Sequence, residues 1–176
     1  ADRAGREPMK DAVSGGSGFV GHRLSAALTA AGHRVIQPGG PEAVDLREHE
    51  WSREVEPVDC VVHLAARSGG TQFQAGADDT VFSDNMAMLD SMLRYAVLSD
   101  AQRFVFTSSA VVYGQTGVVG AIETDSTLGP VDRPSPYAWS KLCGEVAVQW
   151  WALIHERESV SLRLGNVYGP GISFDP

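Results

Sequence analysis

The sequence predicts an α/β fold, a parallel sheet of five strands with helices on both faces, and three observations carry that expectation. Short apolar segments alternate with longer segments of helical periodicity along the chain. The segment Val58 to Leu64 is nearly all apolar, as a strand buried on both faces must be. Between the first short segment and the first helical one stands a turn with glycines at positions 15, 18 and 21. Units of this kind cross over right-handed, and ligands bind beyond the carboxyl ends of their strands, where the strand order reverses.

The first strand is short, Ala12 and Val13, and follows Asp11, a carboxylate that a buried position tolerates only when paired or neutralised. A wet strand end or a weak strand is expected there. In the turn, Gly15 suits a positive φ, Gly18 lets backbone approach a phosphate, and Gly21 lets the helix pack flush on the strand. The helix from Phe19 to Ala31 carries Leu24, Ala27 and Leu28 at helical spacing and stops at Gly32. Its N-terminus, with free amides and the positive end of the helix dipole, suits an anion. The spacing GxxGxxG is one residue wider than the common dinucleotide fingerprint, so a turn that binds nothing stays open as the alternative.

A second strand spans Arg34 to Gln37 and ends in a Pro-Gly-Gly-Pro turn, Pro38 to Pro41. After the third strand, Val58 to Leu64, a Gly- and Gln-rich loop leads to a helix over Thr80 to Leu98, with Val81, Met88, Leu89, Met92 and Leu93 inward. Phe104 to Phe106 form the fourth strand, a long loop runs from Gly114 to Pro136, a helix spans Tyr137 to Arg157, and Val160 to Leu164 form the fifth strand.

Composition narrows the function. At 176 residues the chain is one domain, of a size that buries roughly 70% of its unfolded surface. A polar, patternless tail over residues 1–8 precedes a domain over 9–176, and no internal repeat is present. The formal charge of −8 and the lack of any basic run argue against nucleic acid as a partner. No apolar run is long enough to span a bilayer, and the start lacks a secretory pattern. Cys60 and Cys143 have no CxxC partner and are expected to stay reduced, so a cytoplasmic setting is expected. His63 reads as a satisfied strand-end histidine, since no second ligand stands at metal spacing. Trp150 and Trp151 read as core or helix-pair packing.

The chemistry-bearing residues cluster at the expected carboxyl ends. Thr107, Ser108 and Ser109 follow strand four, and Tyr137 and Lys141, four apart, share one face at the start of the last helix. A phenol near pKa 10 is a poor base at neutral pH, and lowering it by ~3 units takes about 4 kcal/mol of phenolate stabilisation. A lysine one turn away supplies one positive charge toward that. Taken alone, such a pair also occurs on ordinary surfaces.

The ordered set is more specific than any member. The glycine turn, His63-Leu64-Ala65-Ala66, Asn85, Ser108-Ser109-Ala110-Val111-Val112-Tyr113-Gly114, Tyr137 with Lys141, and Arg163-Leu164-Gly165-Asn166-Val167-Tyr168-Gly169-Pro170 come in one sequence from Val13 to Gly171. Together they resemble the extended short-chain dehydrogenase/reductase family, in its NAD-dependent nucleotide-sugar epimerase and dehydratase branch, with UDP-glucose 4-epimerases most alike. The resemblance implies a Rossmann-type domain with NAD as cofactor, NADP remaining open, and a nucleotide sugar as substrate. Gly15, Gly18 and Gly21 would form the dinucleotide turn, with Phe19 and Val20 under the pyrophosphate. Asp45 and Leu46 would frame the adenine, and Leu64, Ala65 and Ala66 would line the cofactor's edge. Asn85 would align the lysine through water. Ser109 would bond the reacting hydroxyl, Tyr137 would act as base, Lys141 would hold the nicotinamide ribose and depress the tyrosine, and Asn166 would face substrate. A homodimer through the two long helices is implied as well.

Departures from the family pattern refine this. Ala110 and Val111 stand where family dehydratases carry Asp and Glu, so dehydration is disfavoured. Gln37 to Gly40 offer neither an acid for the ribose hydroxyls nor an arginine for a 2′-phosphate, so NAD over NADP rests on the resemblance alone. The family continues beyond the Tyr168-Gly169-Pro170 motif into a sugar-nucleotide domain while this sequence stops at Pro176, so a fragment, or a half completed by a partner, is expected. A 4-epimerase heads the expectations, with ketoreductase or decarboxylase as cousins and a non-catalytic dinucleotide-binding module as the alternative class.

Overall fold

A computed structural model describes residues 8–38, 44–48, 50–51, 55–68, 80–113, 122 and 135–171. The tail over 1–7, the turn from Gly39 to Pro41 and most of the 114–136 loop lie outside the described residues. The elements are β1 (Lys10–Ser14), α1 (Phe19–Ala30), β2 (Arg34–Ile36), β3 (Cys60–His63), α2 (Thr80–Leu98), β4 (Arg103–Ser109), a 3₁₀ turn (Ala110–Tyr113), α3 (Pro136–His155) and β5 (Glu158–Leu164). All pairings are parallel, in the order β2-β1-β3-β4-β5. The expected five-stranded parallel sheet is therefore present, with its order reversing between β1 and β3.

Register and side-chain alternation divide the core into two layers. Ala12, Val61 and Phe104 lie side by side across β1, β3 and β4, and with Phe106 they pack on Leu89, Met92 and Tyr95 of α2 and on Val148 and Trp151 of α3. The intervening residues Val13, Val62 and Val105 face the opposite way, onto Leu24 and Leu28 of α1. Strands covered on both faces gain from each fully buried Val or Phe about 1.5–3 kcal/mol. On β5 only one face is engaged: Val160 and Leu162, in line with Val105 and Thr107, are 42% and 44% exposed.

Local signals set the boundaries. Ser135 caps α3 by accepting from Ala138 N at 3.1 Å, and Pro136 occupies the first turn, where its missing N–H costs nothing. The helix stops at Glu156, which adopts the left-handed conformation. This cap places the start of α3 one residue earlier, and its end two residues earlier, than periodicity alone suggests. The expectation for Asp11 is corrected: it lies within β1, buried, rather than at a wet end, with His33 Nδ1 2.9 Å away as an ion contact. Burial pushes its carboxyl up, and the His33 contact opposes that only in part. Trp151 is core, whereas Trp150 is 56% exposed.

Where α3 crosses β4, Gly144 has no room for a side chain: a Cβ would collide with the Phe106 ring, with Phe106 Cε1 at 2.8 Å and Leu89 Cδ2 at 3.3 Å. Gly144→Val is expected to lose about 2–3 kcal/mol through overpacking. Gly165→Ala, with nothing within 4 Å, should stay within about 0.5 kcal/mol. Urea denaturation of the two variants checks this, and equal losses would contradict it.

Candidate functional site

The site is built on the reversal point. Gly15 has φ +70°, and a Cβ there would stand 2.7 Å from Ala65 N, so only glycine lets the first turn lie against the loop after β3. A Cβ on Gly21 would collide with the Gly15 carbonyl, so α1 starts directly against the turn. Gly18 is the N-cap with no side-chain cap, and no acidic residue stands in the first turn of α1. The first-turn amides of Phe19, Val20 and Gly21 have no acceptor within the helix. This cradle fits a phosphate.

Polar ties hold the strand ends together. Ser14 Oγ and His63 Nδ1 share a 2.7 Å hydrogen bond, Thr107 Oγ1 donates to the His63 carbonyl at 2.9 Å, and the His63 ring stacks on Phe106. Burial, helped by the Lys141 charge, lowers His63 to about 3, so the imidazole is neutral, the satisfied histidine expected from sequence.

Three adjoining cavities form one cleft over these ends. The middle one, 590 Å³, is lined by Gly15, Gly18, Phe19, Val20, Gly21, Leu64, Ala65 and Ala66. Through Gly15 and Ala65 it meets a 450 Å³ cavity whose walls include Gln37, Asp45 and Leu46. Through Phe19, Val20, Leu64 and Ala66 it meets a 260 Å³ cavity lined by Thr107, Ser108, Ser109, Tyr137, Lys141, Leu164 and Gly165. Residues more than 120 positions apart in sequence, Gly15 and Tyr137 among them, thus share one continuous surface.

At the Tyr137 end, Lys141 Nζ donates to the Thr107 carbonyl at 2.8 Å and lies 5.5 Å from the centre of the Tyr137 ring. Burial lowers Lys141 to about 8, so it still carries its proton at pH 7. Burial pushes the Tyr137 phenol up, and its hydrogen bond with Ser109 only partly opposes this. Among the protein groups, therefore, burial outweighs any lowering of the phenol.

Two sequence candidates lie off the cleft walls. Asn85 is buried behind them; it accepts from Arg67 N at 2.7 Å and donates to the Arg67 carbonyl at 3.2 Å and to Ser140 Oγ at 3.1 Å. It joins the loop after β3 to α3 one residue before Lys141. Asn166 is exposed, in a segment between Gly165 and Val167, which do line the cleft. That segment is fastened to α1 by Arg23, which donates to the Pro170 carbonyl and to Phe19 O. Sequence reasoning missed the part of a charged rim that Asp84 and Arg67 add to the middle cavity. Arg47 grips Asp45 and reaches Asp84, while Arg67 also bonds Asp84. Arg67 directly follows Ala66 at a strand's carboxyl end, which was the available signal. No helix among the described residues is long and apolar enough to cross a membrane.

Comparison with known proteins gives a consistent answer. The profile of the NAD dependent epimerase/dehydratase family matches residues 12–176. The chain is 30% identical to a UDP-glucose 4-epimerase of Lacticaseibacillus casei, over 92% of this chain and 52% of that protein. It is 26% identical to a GDP-mannose 3,5-epimerase of Oryza sativa subsp. indica, over 93% and 48%. The crystal structure of the Thermus thermophilus UDP-glucose 4-epimerase in complex with NAD superposes with a TM-score of 0.75 at 28% identity, over 94% of this chain and 58% of that one. A structure of the same fold at 17% identity holds NADP, with a TM-score of 0.79, 96% of this chain and 55% of that one being covered. The chain spans about half the length of the curated relatives it matches. A glycine cradle, a cleft running from it to a Ser–Tyr–Lys cluster, and a profile match over nearly all the described residues lead to one conclusion: the chain belongs to the NAD dependent epimerase/dehydratase family.

Proposed function

We propose that this chain serves an NAD-dependent epimerase of the 4-epimerase type, which acts on a nucleotide sugar through transient hydride transfer and a keto intermediate. The observation that carries the reading is the continuous cleft from the glycine cradle to Ser109, Tyr137 and Lys141. In it, Gly15, Gly18, Phe19, Val20 and Gly21 take the pyrophosphate, Asp45 and Leu46 border the adenosine end, and Leu64, Ala65 and Ala66 form the floor between. Bound NAD supplies the hydride acceptor and, in its oxidised form, a positive charge. Tyr137 accepts the proton of a sugar hydroxyl and returns it, and Ser109 holds the oxygen throughout. Lys141, charged at neutral pH, binds ribose hydroxyls and favours the phenolate that burial alone disfavours. Asn85 keeps the floor and α3 in register, and Asn166 faces the sugar nucleotide. Ala110 and Val111 supply no acid or base, which favours epimerisation over loss of water.

Tyr137→Phe is expected to lower turnover by on the order of 10³-fold, with NAD affinity unchanged within a few-fold. The assay is interconversion of UDP-glucose and UDP-galactose by the protein as its own gene encodes it; turnover near that of the parent would sink the assignment.

NAD is expected to bind at least as tightly as NADP. Gln37 is neutral, Arg47 is held by Asp45 and Asp84, and Arg34 is held by Glu56, so among these described residues a 2′-phosphate gains no ready cationic partner. Calorimetric titration with both dinucleotides decides, and a clear NADP preference would point to Arg47 or Arg34 changing partners.

A homodimer through α2 and α3 is part of the same reading. On α3, Trp139, Val146, Trp150, Leu153 and Ile154 are exposed at 37%, 48%, 56%, 68% and 68%, and α2 exposes Phe82 and Val97 as well. Leu153→Glu should leave the fold intact and shift the sedimenting species from dimer to monomer; an unchanged mass would reject this interface.

A further inference from the structure

The last three residues of β4 are each bound to α3. The Thr107 carbonyl accepts from Lys141 Nζ, Ser109 bonds the Tyr137 phenol, and Ser108 Oγ donates to Glu145 Oε1. The first two ties belong to the proposed chemistry; the third does not. Glu145 is 5% exposed, and Arg163 of β5 grips it with both arms, Nε to Oε1 at 2.9 Å and Nη2 to Oε2 at 2.7 Å. The same guanidinium lies 4.8 Å from the centre of the Tyr113 ring and bonds the Tyr113 hydroxyl. Four pieces of structure, namely α3, β4, the 3₁₀ turn and β5, therefore meet at one ion pair.

A buried ion pair contributes little net stability, because desolvation offsets most of the attraction. Its bidentate form, however, fixes distance and orientation as a single apolar contact does not. What it fixes here is specific. Glu145 sits one turn beyond Lys141 on α3, Ser108 immediately precedes Ser109, and Arg163 immediately precedes the Leu164–Gly165 wall of the cleft. Burial alone would raise the Glu145 carboxyl, but the Arg163 and Ser108 bonds more than reverse this and keep it ionised.

We propose that Glu145 and Arg163 are positioning residues that hold Ser109 on β4 in register with Tyr137 and Lys141 on α3. The inference rests on the reading of Ser109 and Tyr137 as the reacting pair. The test uses Arg163→Met, which leaves a buried carboxylate unpaired, and Glu145→Gln/Arg163→Met, which removes both charges and keeps an acceptor for Ser108. Arg163→Met should lower the melting midpoint, and the double variant should regain most of that loss. Both should nevertheless lose turnover of UDP-glucose by at least about 10-fold in kcat, with KM and NAD affinity within a few-fold. A second measurement needs no turnover: the Tyr137 phenol, isolated by subtracting the ultraviolet titration of a Tyr137→Phe background, should ionise at higher pH in both variants, because the Ser109 bond that opposes burial is lost with the register. Recovery of kcat together with the melting midpoint in the double variant would overturn the inference, as would an unchanged Tyr137 titration. If the parent itself turns over no sugar nucleotide, the proposed function fails and the titration alone decides this point.

Discussion

Everything in this domain depends on pairing the polar atoms buried at the carboxyl ends of its central strands. A hydroxyl or amide taken from water without a partner costs about 1–3 kcal/mol, and these strand ends concentrate such groups under the cleft. The solution is a chain of contacts: Ser14 to His63, His63 to Thr107, Thr107 to Lys141. Each link joins a different pair of elements, so satisfying the hydrogen bonds also sets the spacing of β1, β3, β4 and α3. Burial holds the His63 imidazole neutral, so its two links need no charged group.

The two ends of the cleft are made by different means. At the glycine-turn end the groups are backbone, and their geometry follows from what glycine lacks: Gly15 and Gly21 leave no space for a side chain. At the other end the groups are side chains on a long helix, and their placement needs polar clamps such as Ser140 to Asn85 and Ser108 to Glu145. The first is fixed by sterics and tolerates almost no substitution. The second is fixed by interactions that can be tuned one at a time.

Much of this was legible in the sequence, for identifiable reasons. The apolar run Val58 to Leu64, within which β3 takes Cys60–His63, and the glycines at 15, 18 and 21 encode local geometry, so β3, the turn and α1 follow from nearby residues. The ordered motifs led to Ser109, Tyr137 and Lys141, which the fold brings to one wall. The hidden parts are those set by tertiary pairing. Asp11 looked unfit for a strand until His33, which is 22 positions away, supplied a partner. Glu145 carries no signal in the linear chain and Arg163 only opens the motif that ends at Pro170, and nothing local indicates that the two face each other across α3 and β5. The start of α3 was missed because Ser135 and Pro136 cap it, whereas periodicity reports only where the apolar face begins.

The Arg23 clasp on Pro170 joins positions 147 residues apart, so one exposed side chain spans nearly the whole described sequence. Closing so long a loop costs chain entropy, and in the folded domain the parallel pairing that runs from β1 through β3 and β4 to β5 holds the two ends near each other. The Gly165–Gly171 segment leaves β5 and is tied to α1 at its far end. The wall that Gly165 and Val167 contribute to the cleft thus rests on elements from both ends of the described chain.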